Sequence, residues 1–436
     1  MLRIGFYKMV LEKLLNLGRK IIPRPIFTFF QPVYHSLLSF WAVFWYRWPA
    51  KKLKVIGVTG TNGKSSVVFL ISQILEQAGY SVAAISSIEF KIKNKVWAND
   101  LKMTMPGRLQ LQRFLHQAVK AGCQYAVLEI TSEGIKQHRH RFIGFDSAVL
   151  TNITPEHLES HGGFEAYKKA KAKLFQAVKP QGEMIINLDD PQADYFLQFP
   201  ANHKWTYTID NQEKDLRSIK ALSFKTSSTG ISFKIKQTQF NLNLLGKFNG
   251  YNALAAITLV LTQDIPLVKI KSALEQVEGI PGRLEIVLKK PLVMVDYAHT
   301  PDALENVYQT VKELSAGQII GILGAAGGGR DKRKRAQLGQ LAEQYLDQVI
   351  ITNEDPYDED PQAIINQVAQ GLEKKKPIKI LDRRKAINFA LKKAQADDLV
   401  IITGKGCEPW MCLADDKKIP WDDRAVVREE ATKARC

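Results

Sequence analysis

Short apolar runs alternate with stretches of helical period along most of the chain. Val55, Ile56 and Val58 form one such run, a buried strand. Lys64 to Ala78 then sets Val68, Ile71, Ile74, Leu75 and Ala78 at helical spacing until Gly79 stops it. The same rhythm predicts strands at 81–86, 125–130, 147–151 and 184–187, with helices from Pro106 to near Gly122 and over 164–178. Residues 231–245 break it: Ile-Ser-Phe-Lys-Ile-Lys alternates residue by residue, as an antiparallel hairpin at a domain edge does. Past Gly279-Ile-Pro-Gly-Arg283 the α/β rhythm resumes, with strands at 293–296, 319–323, 349–352, 379–381 and 399–402. The expectation is an α/β protein of two units with largely parallel sheets, hinged near Pro281-Gly282. Such sheets bind ligands at the carboxyl ends of their strands, where the charged loops of this chain fall.

Residues 1–52 stand apart as a basic, aromatic, helical arm. The stretch 25–46 has no Lys, Arg, Asp or Glu. Its length allows a membrane span, but a helix restarted after Pro32 has about 14 residues and about 21 Å, short of a hydrocarbon core of about 30 Å. No small-residue cleavage site follows, which argues against a signal peptide. Of the net charge of +17, residues 1–54 supply +9, ten Lys/Arg against Glu12. Tyr34, Trp41, Trp45, Tyr46 and Trp48 favour a headgroup region, and Arg19, Lys20, Arg24, Arg47, Lys51 and Lys52 flank them. Residues 25–48 therefore read as a peripheral anchor on the inner face of the membrane. A helical arm packed on protein accounts for the same pattern equally well. No RNA- or DNA-binding signature accompanies the basic charge, so nucleic acid is not an expected partner. Cys123, Cys407, Cys412 and Cys436 lack zinc-like spacing, and reduced thiols in a cytoplasmic protein are the plainer reading.

Chemistry enters at Leu53-Lys-Val-Ile-Gly-Val-Thr-Gly-Thr-Asn-Gly-Lys-Ser65. Gly60, Thr61, Asn62 and Gly63 form a loop whose backbone N–H groups can turn toward an anion, and Lys64, Ser65 and Ser66 open a helix with positive potential at its start. Lys64 reaches terminal phosphates, and the Ser65 hydroxyl suits Mg²⁺. The strict phosphate-loop spacing has glycine where Val58 stands, so this loop is a variant, G-x-x-G-x-x-G-K-S. An ordinary glycine-rich turn is the alternative; the flanking strand, helix and Lys-Ser favour an ATP site. Residues 53–281 are thus expected to form a P-loop central ATPase domain and residues 282–436 a Rossmann-like, doubly wound domain. Glu129 ends Tyr-Ala-Val-Leu-Glu, and Glu156-His157 lies just beyond Ala-Val-Leu-Thr-Asn-Ile. Neighbouring strand ends meet at one crevice, so Ser65, Glu129 and His157 are candidates to share Mg²⁺ with the ATP phosphates. Each alone reads as a solvated or capping group; the set reads as a metal site.

Glu129-Ile-Thr-Ser132, Phe145-Asp-Ser-Ala-Val-Leu-Thr-Asn152, Glu156-His157-Leu158, His161-Gly162 and the segment Phe164 to Phe175 resemble the Mur ligase family. Within it they are most similar to the tripeptide-synthetase type, which adds the third amino acid of the peptidoglycan stem peptide. Gly246-Lys-Phe-Asn249 with Asn252, Pro281-Gly-Arg283, Asp296-Tyr-Ala-His-Thr-Pro-Asp302, Arg330-Asp-Lys332 and Gly404-Lys-Gly-Cys-Glu408 extend the likeness over about residues 54–436. The resemblance implies an ATP-dependent amide ligase. The γ-phosphoryl group passes to a substrate carboxylate, the amine of a free amino acid attacks the acyl phosphate, and ADP and phosphate leave. It implies further that Glu129 and His157 bind metal and that Lys171 is carbamylated and helps hold a second Mg²⁺. Lys64 and Arg283 neutralise the charge gathered between carboxylate and triphosphate. Asn249 and Asn252 fall on the adenine side, Asp296 and His299 near ribose and base. Thr104, Pro106, Ser132 and Arg139, with Glu354, Asp355, Tyr357, Gly404 and Glu408, are the substrate residues that the likeness suggests. For Lys171 a solvated helix face shared with Lys168, Lys169 and Lys173 is the other reading.

Departures from the family pattern bear on the substrate. Its Ser-Ser-His is Thr131-Ser132-Glu133 here, and its Thr-Thr-Pro muropeptide motif is Thr104-Met105-Pro106. The diaminopimelate selector Asp-Asn-Pro-Arg is Glu354-Asp355-Pro356-Tyr357, without the arginine that grips a carboxylate, and Cys407 replaces a histidine. Acids at 354 and 355 suit a basic amino acid. Where these ligases carry a UDP-binding N-terminal domain, about fifty basic, aromatic residues stand, too few for such a domain. The expected acceptor is a muropeptide, UDP-linked or a lipid-linked peptidoglycan precursor met at the membrane. Two other readings stay open: a folylpolyglutamate-type ligase acting on another carboxylate, and a non-catalytic, nucleotide-gated cell-wall partner, against which Lys64, Glu129, His157 and Arg283 argue.

Overall fold

The computed structural model describes residues 24–99, 103–156, 158–212 and 217–435. Its larger sheet has nine strands: β1 Lys54–Thr59, β2 Val82–Ile85, β3 Glu89–Ile92, β4 Lys95–Ala98, β5 Tyr125–Glu129, β6 Phe145–Leu150, β7 Val178–Asn187, β8 His203–Thr208 and β9 Ser218–Lys220. They lie in the order β4-β3-β2-β5-β1-β6-β7-β8-β9, parallel from β2 to β9, with β3 and β4 antiparallel at one edge. A strand covered on both faces needs apolar residues on both. In β1, Ile56 and Val58 join the core made by the helices Lys64–Gln77 and Lys247–Leu261, while Val55 joins Leu111, Leu115 and Phe175 on the other side.

β10 Leu222–Ser227 extends the expected hairpin, present as β11 Gly230–Ile235 and β12 Thr238–Leu242, to a three-stranded antiparallel sheet. The pattern did not reveal β10 because its apolar alternation, Leu222-Ser-Phe224-Lys, lasts only four residues and most of the strand is exposed. The second large sheet comprises β13 Glu285–Lys289, β14 Leu292–Val295, β15 Ile319–Leu323, β16 Gln348–Ile351, β17 Ile378–Lys379 and β18 Leu399–Ile402. Its order is β13-β14-β18-β15-β16-β17, and β13 alone runs antiparallel. Successive residues fall in separate cores, Ile322 with Val295 and Ile402, Leu323 with Met294 and Ile401. Between the two sheets the chain turns at Gly282, where φ is +63° and a Cβ would meet the Cys407 nitrogen at 2.3 Å. No other residue fits that turn.

The helix Arg24–Trp45 runs unbroken through Pro32, so the restart expected there does not occur. Pro32 costs this helix one backbone donor and does not end it. One face packs against the helix Arg108–Lys120, burying Ala42 and Val43, and Ser39 Oγ donates to the His138 carbonyl at 2.9 Å. The other face leaves Val33, Leu37, Phe40, Trp41, Phe44 and Trp45 exposed, Trp41 at 62% and Trp45 at 75%. Among the described residues no helix is long and apolar enough to cross a membrane. Arg19 and Lys20 lie outside the described residues.

Candidate nucleotide and ligation site

The loop after β1 is held from three sides. Asn152, at the end of β6, takes the backbone N–H of Thr61 on its carbonyl and that of Asn62 on its Oδ1, each at 2.9 Å. Gly60, at φ +149°, sits so close to β6 that a Cβ would meet Thr151 Oγ1 at 1.9 Å. Gly63, at φ +81°, lies against Asn252, whose Oδ1 a Cβ would meet at 2.3 Å. Asn252 donates in turn to Asn249 Oδ1 at 3.0 Å, and Asn249 to the Leu245 carbonyl at 2.9 Å, both buried. Thr61 and Asn62 thus spend their N–H groups on β6. Donors remain at Lys64, Ser65 and Ser66, in the first turn of a helix, where no intrahelical acceptor exists.

Two lysines, one arginine and one acid converge here. Glu129, at the end of β5, is buried; its Oε2 accepts from Ser65 Oγ at 2.7 Å and from the Ser87 N–H at 2.9 Å, and Lys64 Nζ stands 3.9 Å from its Oε1. Arg283, one residue past the Gly282 turn, brings Nη2 to 3.2 Å from Ser87 Oγ and 3.5 Å from Ser65 Oγ, with its guanidinium 4.2 Å over the Tyr297 ring. Lys171, on the helix Phe164–Gln176, donates to the Gly60 carbonyl at 2.6 Å and lies 4.6 Å from the Tyr167 ring centre. It is fully enclosed, so the solvated-face reading does not hold for it, whereas Lys169 and Lys173 are exposed. Burial, with the Lys64 charge adding to it, holds Lys171 well below the ordinary lysine range. Burial also lowers Lys64, and Glu129 pulls it part of the way back.

Hard oxygens of Ser65 and Glu129 beside the lysine fit Mg²⁺, which takes one or two protein ligands and fills its shell with water and phosphate oxygens. Among the described residues no group of three or more His, Cys, Asp or Glu side chains is placed to hold a metal ion. His157, the expected further ligand, lies outside the described residues.

The second sheet closes on this loop. Asn62 Nδ2 donates to Asp302 Oδ2 at 2.6 Å, and Lys334 pairs with Glu156 at 2.5 Å. A cavity of about 150 Å³ lies along the seam, lined by Glu156, His299, Arg330, Lys334 and Glu354 among others. His299 Nδ1 bonds the Tyr297 carbonyl at 3.0 Å, and Asp296 is buried with its carboxylate on the N–H groups of Leu284 and Ala298, so it shapes the turn before the helix Pro301–Leu314. Asp355 is spent on Lys405 at 2.9 Å and on the Cys412 N–H at 2.8 Å, and Glu408 accepts from Lys405 at 2.6 Å and from Tyr297 at 3.0 Å. Glu354 and Gly404 touch each other at the cavity end, while Tyr357 lies against Gly328. Thr104 and Pro106 belong to a separate group: Arg139, buried, donates to the Met105 carbonyl and to Gln137 Oε1, and Ser132 opens the short helix Ser132–Lys136 after the Thr131 cap.

Residues 58–260 match the Mur ligase middle domain, and residues 282–406 match the family described as Mur ligase, glutamate ligase domain. The chain belongs to the Mur ligase family. A UDP-N-acetylmuramoyl-L-alanyl-D-glutamate–2,6-diaminopimelate ligase of Caldanaerobacter subterraneus subsp. tengcongensis is 38% identical over 392 residues, covering 88% of this chain and 79% of the relative. A UDP-N-acetylmuramyl-tripeptide synthetase of Roseiflexus sp. is 36% identical over 413 residues, covering 89% and 80%. The solved structure of a UDP-N-acetylmuramoyl-L-alanyl-D-glutamate–2,6-diaminopimelate ligase superposes with a TM-score of 0.59 at 32% identity, over 88% of this chain and 79% of that one. Mycobacterium tuberculosis folylpolyglutamate synthase reaches 0.69 at 18% identity, over 83% and 91%, which is a likeness of fold alone.

In this Mur ligase, Lys64, Glu129 and Lys171 fall in the first matched segment and Arg283 in the second. Sequence reasoning passed over Ser87, Tyr297 and Lys334. Ser87 follows β2, and β2 is the neighbour of β5 in the sheet, which is why it meets Glu129 across 42 positions. Its signal was its place just past a strand end.

Proposed function

We propose that this Mur ligase joins an amino acid to a carboxylate of a peptidoglycan stem-peptide precursor through an acyl phosphate, with release of ADP and phosphate. The observation that supports this best is the gathering of two cations, Lys64 and Arg283, with Ser65, Glu129 and the enclosed Lys171 amine at one phosphate-type loop. A carboxylate and a triphosphate repel each other, and fixed cations aimed at the transferring group lower that repulsion most where water is excluded. Ser65, Glu129, His157 and a carbamate on Lys171 would hold Mg²⁺, which would add charge neutralisation. Gly60, Thr61, Asn62, Gly63 and Ser66 shape the phosphate cradle, Asn249 and Asn252 back it, and Asp296 and His299 serve the nucleoside side. The neutral amine of the incoming amino acid attacks the acyl carbon and phosphate leaves. The Asn62–Asp302 and Lys334–Glu156 contacts hold the two units together over the loop and keep water from the acyl phosphate.

Three finer points belong to the same proposal. Lys171 is carbamylated: the enclosed amine, whose cation burial disfavours, adds in its neutral form to CO₂, an N–C bond forms, one proton leaves, and a carboxylate results. The acceptor contacts Thr104, Pro106, Ser132 and Arg139, and the amino acid contacts Glu354, Asp355, Tyr357, Gly404 and Glu408. The acceptor is a muropeptide, UDP-linked as in the names of the relatives or lipid-linked, and the lipid-linked form is met by a protein that lies peripherally on the cytoplasmic face of the membrane. The exposed Trp41, Phe44 and Trp45 supply an interfacial face, and Lys51 and Lys52 stand just past its end.

Phosphate release from ATP and Mg²⁺ tests the ligase reading. Release requires both a muropeptide and an amino acid, and Lys64→Ala abolishes it. Nucleotide binding without such turnover overturns it in favour of a nucleotide-gated partner. Deleting residues 1–50 tests the membrane reading, which fails if vesicle binding and activity on a lipid-linked acceptor are unchanged.

A further inference from the structure

The cavity between Glu156 and Glu354 has a charge inventory that limits what fits it. Of its cations, Lys334 is paired with Glu156, and Arg335 bonds Glu359 at 2.9 Å and Gln367 at 2.6 Å. Behind it Lys405 is occupied by Asp355 and Glu408, and Arg383 by Asp423 and the Thr403 carbonyl. Arg330 has no hydrogen bond or ion pair among the described residues, and it lies within electrostatic reach of Glu354, Glu408, Tyr297 and Tyr357.

The carboxylates divide the same way. Asp355 and Glu408 are engaged, Asp331 accepts from the Arg333 N–H, and Glu159 is exposed to water. Glu354 is only 4% exposed, and its Oε2 is buried without a partner. Two glycines make room for it. A Cβ at Gly404, where φ is +108°, would meet Oε2 at 2.2 Å, and one at Gly324 would meet the Glu354 Cβ at 3.0 Å. The chain omits two side chains to hold a carboxyl group that it then leaves unsatisfied. Burial pushes that group up to about 7, against the pull of Arg383 and Lys405. A buried carboxyl oxygen without a partner is costly, and an arriving ammonium removes the cost.

We infer that the amino acid joined here has one carboxylate and a terminal primary ammonium, the lysine and ornithine class, with Arg330 on its carboxylate and Glu354 on its side-chain ammonium. The inference rests on the ligase reading. The α-amine is the neutral nucleophile, so one carboxylate and one ammonium remain to be matched, and one free cation and one free carboxylate face them. A second carboxylate, as in diaminopimelate, meets no further free cation among the described residues of this cavity, and the phenol of Tyr357 does not supply one. An aliphatic side chain leaves Glu354 stranded.

The test is phosphate release with L-lysine, L-ornithine, L-norleucine and meso-diaminopimelate at saturating ATP and acceptor. Norleucine is lysine with the ammonium replaced by hydrogen. Lysine or ornithine exceeds norleucine and diaminopimelate in kcat/KM by about 10- to 100-fold. In Glu354→Gln the lysine-to-norleucine ratio falls to within about threefold of one, through KM for lysine, whereas a purely structural role lowers both substrates alike and keeps the ratio. Diaminopimelate or norleucine equal to lysine in the unaltered protein, a comparison that needs no variant to fold, overturns the inference and leaves the ligase standing. An unchanged ratio in Glu354→Gln also overturns it. Release with no amino acid on any acceptor overturns the ligase reading and this inference with it.

Discussion

Replacing Lys171 by Met separates the catalytic use of its amine from its structural one. Methionine keeps an unbranched chain of similar length and fills the same volume, so packing against Tyr167 changes little. The cost lies in the Gly60 carbonyl, which loses the 2.6 Å bond from Lys171 Nζ inside the protein. A stranded buried acceptor costs about 1–3 kcal/mol. Against this, the variant no longer encloses an amine that burial already disfavours as a cation. We expect a net loss below about 2 kcal/mol in urea unfolding, which leaves the protein folded at 25 °C. The loss in kcat is far larger. A fixed polar group that serves the transferring phosphoryl group is worth about 100- to 1,000-fold. The assay pairs the unfolding curve with acceptor-dependent phosphate release. A folded variant whose kcat lies within about threefold of the unaltered protein refutes any catalytic part for Lys171. The carbamate has its own check: CO₂-depleted buffer lowers the activity of the unaltered protein, and ¹³C-bicarbonate gives a carbamate resonance that Lys171→Met lacks.

Asp423 and Arg383 are both fully buried and joined by two bonds, at 2.8 and 2.7 Å. Asp423→Ala is expected to cost about 3–5 kcal/mol, read by urea unfolding, and a cost under about 1 kcal/mol contradicts the assignment of an uncompensated charge. Gly60→Ala forces a Cβ into Thr151 Oγ1 at a φ of +149°, so we expect about 1–3 kcal/mol of destabilisation and at least tenfold weaker ATP binding by calorimetry. Glu354 gives a pH prediction. Its folded value, about 7, exceeds the ordinary 4.5, with Arg383 and Lys405 lowering it and burial, Asp355 and Glu408 raising it. The folded protein therefore keeps this proton after the unfolded chain has lost it, and stability falls as pH rises from about 4.5 to about 7. The fall is about 3 kcal/mol and is absent in Glu354→Gln; parallel pH profiles for the two proteins refute it.

Much of this was legible along the chain, for reasons that differ by residue. β1, its glycine loop and Lys64 were readable because a two-sided strand, a forced turn and a helix start each leave a local mark. Glu129 was readable because it ends an apolar run. Lys171 was not separable from Lys168 and Lys173 by period alone; the family resemblance singled it out, and its seat under the Gly60 carbonyl sets it apart in the fold. Ser87 and Asp302 owe their places to strand order and to the meeting of two sheets, which no local pattern encodes. Asp355 looked like a free acid in the sequence, yet Lys405, fifty positions on, occupies it. The unpaired oxygen of Glu354 beside it is likewise a property of the assembled pocket.

Arg283 follows directly on Gly282, the turn between the two sheets, and its guanidinium reaches Ser65 and Ser87 from there. The last cation of the phosphate site is thus mounted on the joint itself. On the proposed reading, a nucleotide on the first sheet alone meets Lys64, and the second fixed cation comes with the posture that also seats Asn62 on Asp302. Readiness to spend ATP would then follow an angle between two bodies, read by a single side chain one residue from the pivot.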